Sequence, residues 1–369
     1  MMNIPLIDLT KQYQALKKEL SEKLLNVLEK GVYIAGPEVK GFESEMAQFT
    51  GAKFAVSTAN GTDSLILALH ACGIGPGDEV ITSPFTFFAT AEAIARIGAV
   101  PVFADIDPYT FNMSPEKAEE KITERTRAII PVHIFGHPAE MDAFIEIGER
   151  YGLQIIEDAC QSLGASYKGK QVGSLGHFGC VSFYPTKNLG AYGDAGIVIT
   201  NNKEMAKKIR ILGFHGMSSQ KYFHDFVGYN SRLDEIQAAI LRIKLKKLQE
   251  WNHLRQEKAM KYTEELKELD LTLPVTLEHS SHVFHLYVIL SKEREKLAAY
   301  LEERGITTGN YYPCPLHLQN AFQYLGYHPG DLPVSEQVSR TALALPLYPE
   351  LMDEEQDYVI KNIKEFFKK

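Results

Sequence analysis

One lysine lies between two segments that are typical of buried strands, where a charged side chain is not expected without a chemical role. Lys187 lies in the stretch SFYPTKNLGAYGDAGIVIT, residues 182–200, between two apolar segments that are typical of buried strands. Burial lowers the pKa of an amine, and a neutral amine is a good nucleophile toward an aldehyde. A surface lysine in a loop is the alternative. The flanking apolar segments and three nearby glycines, Gly190, Gly193 and Gly196, favour the chemical role.

Three further groups follow strand-like segments elsewhere in the chain. Asn60, Gly61 and Thr62 open a predicted helix after FAVST, and the free N–H groups of a helix start bind anions. Taken alone, a plain N-cap explains them better. Phe85, Phe87 and Phe88, in PFTFFAT, offer an aromatic face or core side chains. Asp158 ends LQIIED and needs as its partner either a structural donor or a cationic ligand atom.

These four groups together match the needs of one cofactor. Pyridoxal 5'-phosphate requires a lysine for its aldehyde, a carboxylate for its ring nitrogen, an aromatic face and an anion site. The sequence supplies an anion loop, an aromatic residue, an aspartate and a lysine, in that order. None of the four is specific alone, so the prediction depends on the set.

The surrounding segments predict an α/β fold that brings these residues together. Strand-like and helix-like segments alternate from residue 53 to 200, and the strands are continuous apolar runs, as in a mostly parallel sheet covered on both faces. Ligands bind beyond the carboxyl ends of such strands. Residues 231–266 are predicted as one long bridging helix. We expect a large domain over residues 1–250 and a smaller α+β domain over residues 251–369.

Composition and scattered motifs exclude several other classes. The formal net charge of -8 argues against a nucleic-acid binder. No segment is apolar for long enough to span a membrane, and charges interrupt the N-terminal apolar stretches, so we expect a cytoplasmic protein. The four cysteines form no close pair. His133 and His137 lie four residues apart, but Gly136 and Pro138 break the helix that such a metal pair needs, so no metal is predicted.

The chain resembles the DegT/StrS family of pyridoxal-phosphate-dependent sugar aminotransferases, which have the aspartate aminotransferase fold (fold type I). The likeness covers essentially the whole chain. It is carried by ordered blocks: IPLIDL, GPEVKGFESEMAQFTG, NGTDSL, GPGDEVITSPFTFFATAEAI, EDACQSLGA, SFYPTKNL, GYNSRLDEIQAAIL, HLYVI, YYPCPLHLQ and ALPLYPEL. One departure is GAYGDAG, which places Tyr192 where the family commonly has leucine.

The resemblance implies a role for each matching residue. Lys187 forms the Schiff base with the cofactor and later moves a proton, and Asp158 pairs with the ring nitrogen. Phe87 stacks on the ring, and Gln161 lies near the ring hydroxyl. The remaining implied roles are phosphate binding by Gly61, Thr62 and Ser182; phosphate binding in the neighbouring subunit by Asn230; and sugar contacts by Tyr184, Tyr311, Tyr312 and His317.

The resemblance also implies the reaction and the partners. It implies a homodimer with shared active sites that moves an amino group from L-glutamate onto a nucleotide-linked keto-sugar. The blocks NSRLDEIQAA and YYPCPLHLQ are more similar to members that act at C3 than at C4. Two alternatives stay open on the same scaffold: a non-catalytic cofactor-binding regulator, and a glycine-dependent aldolase.

Overall fold

The computed structural model describes residues 2–218 and 220–368, and these residues form twelve α-helices and twelve β-strands. The helices are α1 (Leu9–Lys30), α2 (Pro37–Thr50), α3 (Gly61–Ala71), α4 (Ala89–Arg96), α5 (Pro115–Glu119), α6 (Met141–Tyr151), α7 (Lys203–Gly213), α8 (Glu235–Leu245), α9 (Leu248–Leu266), α10 (Arg294–Glu302), α11 (Pro333–Thr341) and α12 (Asp353–Phe367). The strands are β1 (Phe54–Thr58), β2 (Glu79–Thr82), β3 (Val100–Phe103), β4 (Thr126–Ile130), β5 (Gln154–Asp158), β6 (Ser166–Tyr167), β7 (Lys170–Gln171), β8 (Phe178–Ser182), β9 (Gly196–Thr200), β10 (Ser280–Ser281), β11 (Tyr287–Leu290) and β12 (Ala342–Leu345).

The main sheet has seven strands within the described residues, in the order β1-β9-β8-β5-β4-β2-β3. Strand β9 pairs antiparallel with both β1 and β8, whereas the pairs β8–β5, β5–β4, β4–β2 and β2–β3 are parallel. Six strands therefore run in one direction, and their carboxyl ends share one edge. This topology confirms the predicted mostly parallel sheet.

Both faces of the main sheet are covered, which explains the continuous apolar strands. In β9, Val198 packs into the core under α3, while its neighbours Ile197 and Ile199 pack into the core under α2 and α8. In β8, Cys180 and Val181 divide between the two cores in the same way. Because adjacent side chains of a strand point to opposite faces, two-sided burial removes the usual alternation of polar and apolar residues.

A second region is built on the antiparallel pair β11–β12 and on α9, α10 and α12. Its core includes Tyr262 from α9 and Tyr287 from β11, both fully buried. Ile4 joins this core and forms a bridge with Ile306, so the N-terminal residues lie with this region rather than with the main sheet. The predicted division at residues 250 and 251 falls inside α9, and that domain boundary stays a prediction.

Two predicted elements are shorter in the structure. The prediction of a single helix over residues 231–266 is wrong, because α8 ends at Leu245 and α9 starts at Leu248. A tight turn separates the two helices, and in it Lys247 N donates to Lys244 O at 2.9 Å. Residues 231–234 precede α8, whose N-cap is Asp234. The predicted strand HVFHLYVIL forms only at Tyr287–Leu290. Among the described residues, no helix has the length and apolar character needed to cross a bilayer.

Candidate active site

A cavity of about 950 Å³ lies at the carboxyl ends of the parallel strands. The second region contributes to its lining with His285, Leu286 and residues 310–312, and the N-terminal segment contributes Leu6 and Ile7. Ten of the twelve predicted site residues line it: Gly61, Thr62, Phe87, Asp158, Gln161, Ser182, Tyr184, Lys187, Tyr311 and Tyr312. The fold thus brings together groups that are far apart in the sequence.

Lys187 lies in the turn after β8, where its backbone N–H donates to Tyr184 O at 2.8 Å. Its side chain is partly exposed to the cavity, and within the described residues its ammonium has no hydrogen-bond partner. Burial lowers the pKa of Lys187 below its ordinary value, and the nearby Cys160 and Asp158 partly oppose that change. A lowered pKa increases the share of neutral amine, the form that reacts with a carbonyl carbon.

Asp158 ends β5 and is 6% exposed. Thr90 of α4 donates its hydroxyl to Asp158 Oδ2 at 2.8 Å, and the backbone N–H of Cys160 donates to Oδ1 at 3.2 Å. Each carboxylate oxygen is therefore held by one donor and keeps capacity for a cationic partner in the cavity. Thr90 was missed by the sequence reasoning, although its place after TFF put it at the end of the same sheet.

A candidate anion site lies where α3 meets the end of β8. Asn60 caps the helix by accepting from Asp63 N at 2.8 Å, which leaves the N–H groups of Gly61 and Thr62 without an intrahelical acceptor. A Cβ on Gly61 would lie 2.6 Å from Ser182 Cβ and 3.0 Å from Cys160 Sγ. Only glycine lets the start of the helix pack this closely against Ser182. The free N–H groups of a helix start and a nearby hydroxyl are suitable donors for an anion.

Phe87 is the exposed member of its aromatic cluster. It is 59% exposed and lines the cavity, whereas Phe85 is fully buried and Phe88 stacks on Phe322 in a separate core. Helix α4 begins only at Ala89, so Phe87 stays in the loop that faces the cavity. An apolar ring left open in a cavity can accept another flat ring.

Gln161 and Tyr312 join the two sides of the cavity. Gln161 Oε1 accepts from Phe135 N at 2.9 Å, and Gln161 Nε2 donates to the Tyr312 hydroxyl at 3.0 Å. Burial raises the pKa of Tyr312, so its hydroxyl stays protonated and can donate toward the cavity. Gln161 thereby fixes Tyr312, for which the family resemblance implies a sugar contact.

Two predicted residues do not line the cavity. His317 is 1% exposed, its Nε2 lies 3.3 Å from Glu336 Oε1, and its ring packs near Tyr327. The hydrogen bond to the buried Glu336 holds the His317 ring away from the cavity, and the predicted sugar contact by His317 stays a prediction. Asn230 is exposed on the surface, where its predicted role in a neighbouring subunit stays a prediction.

Several lining residues were not singled out from the sequence. They differ in charge and lie on both sides of the cavity: Asp63, Thr86, Thr90, Glu92, Arg96, Thr186, Asp194, His285 and Asn310. His285 is 8% exposed, and its Nδ1 has no hydrogen-bond partner in the described part of the chain. The sequence offers only one signal for such residues, which is a position directly after a strand or at the start of a helix. His285 and Asn310 lack this signal, because each lies before a regular element.

Comparisons with known proteins give matches over nearly the whole chain. The model of the DegT/DnrJ/EryC1/StrS aminotransferase family matches residues 14–364. The pleiotropic regulatory protein of Geobacillus stearothermophilus is 50% identical over 370 residues, covering 100% of this chain and 99% of that protein. The UDP-N-acetyl-3-dehydro-alpha-D-glucosamine 3-aminotransferase of Acidithiobacillus ferrooxidans is 43% identical over 95% of each chain.

The fold of the chain closely matches that of a solved structure. The X-ray crystal structure of S. venezuelae DesV in complex with a ketimine intermediate superposes with a TM-score of 0.98 at 41% identity, and the match covers 100% of both chains. These findings confirm the resemblance and the fold type that the sequence blocks indicated. The chain belongs to the DegT/DnrJ/EryC1/StrS aminotransferase family.

Proposed function

We propose that this protein transfers an amino group from L-glutamate to the keto group of a nucleotide-linked sugar, with pyridoxal 5'-phosphate as its cofactor. The observation that carries the proposal is the meeting of Lys187, Asp158 and the Gly61–Thr62 helix start in one cavity. Membership of an aminotransferase family gives that meeting its chemical meaning.

The residues present fit the cofactor of this family. The Gly61 cradle, which a Cβ would fill, and the Ser182 hydroxyl suit a phosphate. The Asp158 carboxylate suits a protonated ring nitrogen, and the exposed face of Phe87 suits the ring. When bound, pyridoxal phosphate supplies an aldehyde that amines attack and a ring that stabilises negative charge on the neighbouring carbon.

The chain's own groups supply the proton handling. Lys187, with its lowered pKa, takes a proton from the α-carbon of glutamate and later gives one to the sugar carbon that receives the amine. Asp158 keeps a proton on the ring nitrogen, and Thr90 holds the carboxylate in place for that task. The Tyr312 hydroxyl, fixed by Gln161, donates a hydrogen bond on the sugar side.

The part of the cavity that we assign to the sugar is aromatic. It is lined by Tyr184, Tyr311 and Tyr312, which offer hydroxyl groups and flat faces to a sugar ring. Tyr184 is 53% exposed at the mouth of the cavity, where a bulky nucleotide has room to extend. We propose amination at C3, which the name of the Acidithiobacillus relative supports.

The decisive experiment offers the purified protein a panel of 3-keto and 4-keto nucleotide sugars with glutamate. Mass spectrometry should detect the amino-sugar from one 3-keto member and an equal amount of 2-oxoglutarate. Amination of 4-keto sugars alone would contradict the C3 assignment. No amination of any member, by protein that carries the cofactor, would contradict the proposed function.

We also propose a homodimer in which Asn230 completes the neighbour's site. The segment before Asn230 exposes large apolar side chains, with Tyr222 at 77%, Phe223 at 60% and Val227 at 95%. Such a patch on a soluble protein favours burial against a partner. Asn230 is exposed and does not line the cavity of its own chain, so we propose that it reaches the cavity of a second copy of the chain.

Mixing two inactive variants tests the shared site. Lys187→Ala and Asn230→Asp proteins should each be inactive, while their mixed dimers should regain activity. One site of a mixed dimer would then hold both wild-type residues, and the other site neither. An absence of recovery after verified subunit exchange would show that Asn230 does not act across an interface.

A regulator without turnover is the second candidate, because the relative that is 50% identical is named a pleiotropic regulatory protein. The two functions differ in their response to glutamate. An aminotransferase should lose the visible absorbance of the lysine-bound cofactor when glutamate is added without a keto-sugar. A regulator of this kind should keep that absorbance unchanged.

We place the protein in the cytoplasm. The four cysteines, Cys72, Cys160, Cys180 and Cys314, are all free. Free cysteines suit a reducing compartment. Fractionation of the producing cells, followed by detection with an antibody, would test this placement.

A further inference from the structure

Lys244 of α8 is a buried lysine that the proposed mechanism does not use. It is 1% exposed, and its Nζ donates to the carbonyl oxygen of Gly190 at 2.5 Å. Burial lowers the pKa of Lys244 to about 8, because the charged form of the amine is unfavourable away from water. An apolar side chain of similar length would avoid this cost, so the lysine needs another explanation.

The contacts of Lys244 converge on the loop that carries Lys187. Besides the bond to Gly190, its Nζ lies 4.8 Å from the centroid of the Tyr192 ring, within cation–π distance. Gln237, also on α8, accepts from Tyr192 N at 2.9 Å and donates to Tyr192 O at 3.1 Å. Two side chains of one helix thus hold both residues that flank Ala191.

Gly190 and Tyr192 belong to the same tightly folded loop as Lys187. A Cβ on Gly190 would lie 2.2 Å from Pro185 O, so the loop folds back tightly on itself across Lys187. Ala191 N donates to Phe183 O, and Lys187 N donates to Tyr184 O, each at 2.8 Å. A shift of Gly190 or Tyr192 away from α8 would therefore move the backbone from which Lys187 extends.

We propose that Lys244 is a positioning residue for Lys187, acting through Gly190 and Tyr192 to fix the loop of residues 183–195 on α8. We call the contacts of Lys244 and Gln237 with Gly190 and Tyr192 the clamp. Tyr192 does not line the cavity, so the proposal assigns it to the clamp rather than to substrate binding. The Tyr13 ring of α1 lies edge-on to Tyr192 at 6.3 Å and closes the outer side of the clamp. The Glu350 carboxylate partly opposes the effect of burial on the pKa of Lys244 by stabilising its charge. The inference rests on the proposed role of Lys187 in holding the cofactor.

Lys244→Met tests the clamp, because methionine keeps the apolar stem and removes the donor and the charge. Apoprotein is titrated with pyridoxal phosphate, and visible absorbance gives the dissociation constant and the pH midpoint of the lysine-bound form. We expect about tenfold weaker cofactor binding, as for loss of one hydrogen bond from a charged group, and a shifted midpoint. Lys246→Met, at a side chain that is 70% exposed, is the matched control and should behave as wild type.

Tyr192→Leu gives a second test that leaves Lys244 in place and covers the case in which Lys244→Met does not fold. It should shift the same midpoint in the same direction by less. Wild-type affinity and midpoint in folded Lys244→Met, or in Tyr192→Leu if only that variant folds, would overturn the proposal. Wild-type protein without any lysine-bound absorbance would instead refute the proposed function.

Discussion

The two walls of the cavity differ in how completely their polar groups are already bonded. On the wall from the main sheet, Asp158 is held by Thr90 and by a backbone N–H, and Asn60 caps the anion site. On the wall from the second region, His285 Nδ1 and Asn310 Oδ1 are buried without partners among the described residues. The Asp158 carboxylate and the helix cap of the first wall are therefore preorganised, while these two atoms of the second wall keep unused bonding capacity.

This difference separates two tasks that one cavity must perform. The cofactor is the same in every turnover, so its groups benefit from rigid positions that are fixed before binding. The sugar differs between relatives, as their names show, so its wall can differ without loss of the chemistry. Changes to the cofactor-holding groups of the sheet wall should therefore affect both halves of the reaction, and changes to the second wall only the sugar half.

Lys187→Ala should produce the largest effect. It removes the amine that holds the cofactor and moves the proton, so turnover should fall by about 10³-fold or more in both half-reactions. The visible absorbance of the lysine-bound cofactor should vanish, while circular dichroism stays that of the wild type. Lys168→Ala, at a lysine that is 53% exposed, is the control and should keep full activity. Retained turnover in Lys187→Ala would remove the basis of the comparison between the walls.

Gly61→Ala should produce the next largest effect. The added Cβ would lie 2.6 Å from Ser182 Cβ, and overpacking of this kind costs about 1–3 kcal/mol. The helix start must move away from Ser182, so the affinity for pyridoxal phosphate should fall by at least about tenfold in an absorbance titration. Gly75→Ala is the control, since its nearest atom would be 3.9 Å away. Equal affinities of the two variants would show that the anion site is not rigid.

Much of the sheet wall could be predicted from sequence because its groups follow strands directly. The strand that ends at Asp158 and the helix that starts at Gly61 have clear local patterns, and a parallel sheet places such positions at one edge. Family resemblance then gave each group its role. The predictions of fold type and of the cavity residues Lys187 and Asp158 required no long-range contact to be known.

The second wall could be predicted only in part, because long-range contacts determine it. His317 stands close to Tyr311 and Tyr312 in the sequence, yet Glu336 holds it in a buried pair away from the cavity. The break between α8 and α9 lies among lysines and leucines that are good helix formers, so no local residue signals it. His285 lies in a bend before β11 that is held by Arg255, which donates to the carbonyl oxygen atoms of Phe284 and His285.

Thr90→Val should give a moderate effect that sharpens the account of the sheet wall. It removes the hydroxyl that donates to Asp158 Oδ2 at 2.8 Å and keeps the shape of the side chain. A hydrogen bond to a charged group contributes about 1.5–3 kcal/mol, so the rates of both half-reactions should fall by at least about tenfold. Single-turnover measurements with glutamate and with the keto-sugar would give the two rates separately. Thr341→Val, whose hydroxyl bonds to the backbone of α11, should leave both rates unchanged.

Tyr311→Phe should give the smallest effect and the sharpest test of the comparison. The change removes one hydroxyl from the second wall and leaves the ring, whose neighbour Tyr312 stays fixed by Gln161. Loss of one neutral hydrogen bond to a sugar hydroxyl costs about 0.5–1.5 kcal/mol, so the KM for the keto-sugar should rise by about two- to tenfold. The glutamate half-reaction should proceed at the wild-type rate, because no group that holds the cofactor or moves the proton has changed. An equal loss in both halves would mean that the second wall also positions the cofactor, and the two walls would then share one task.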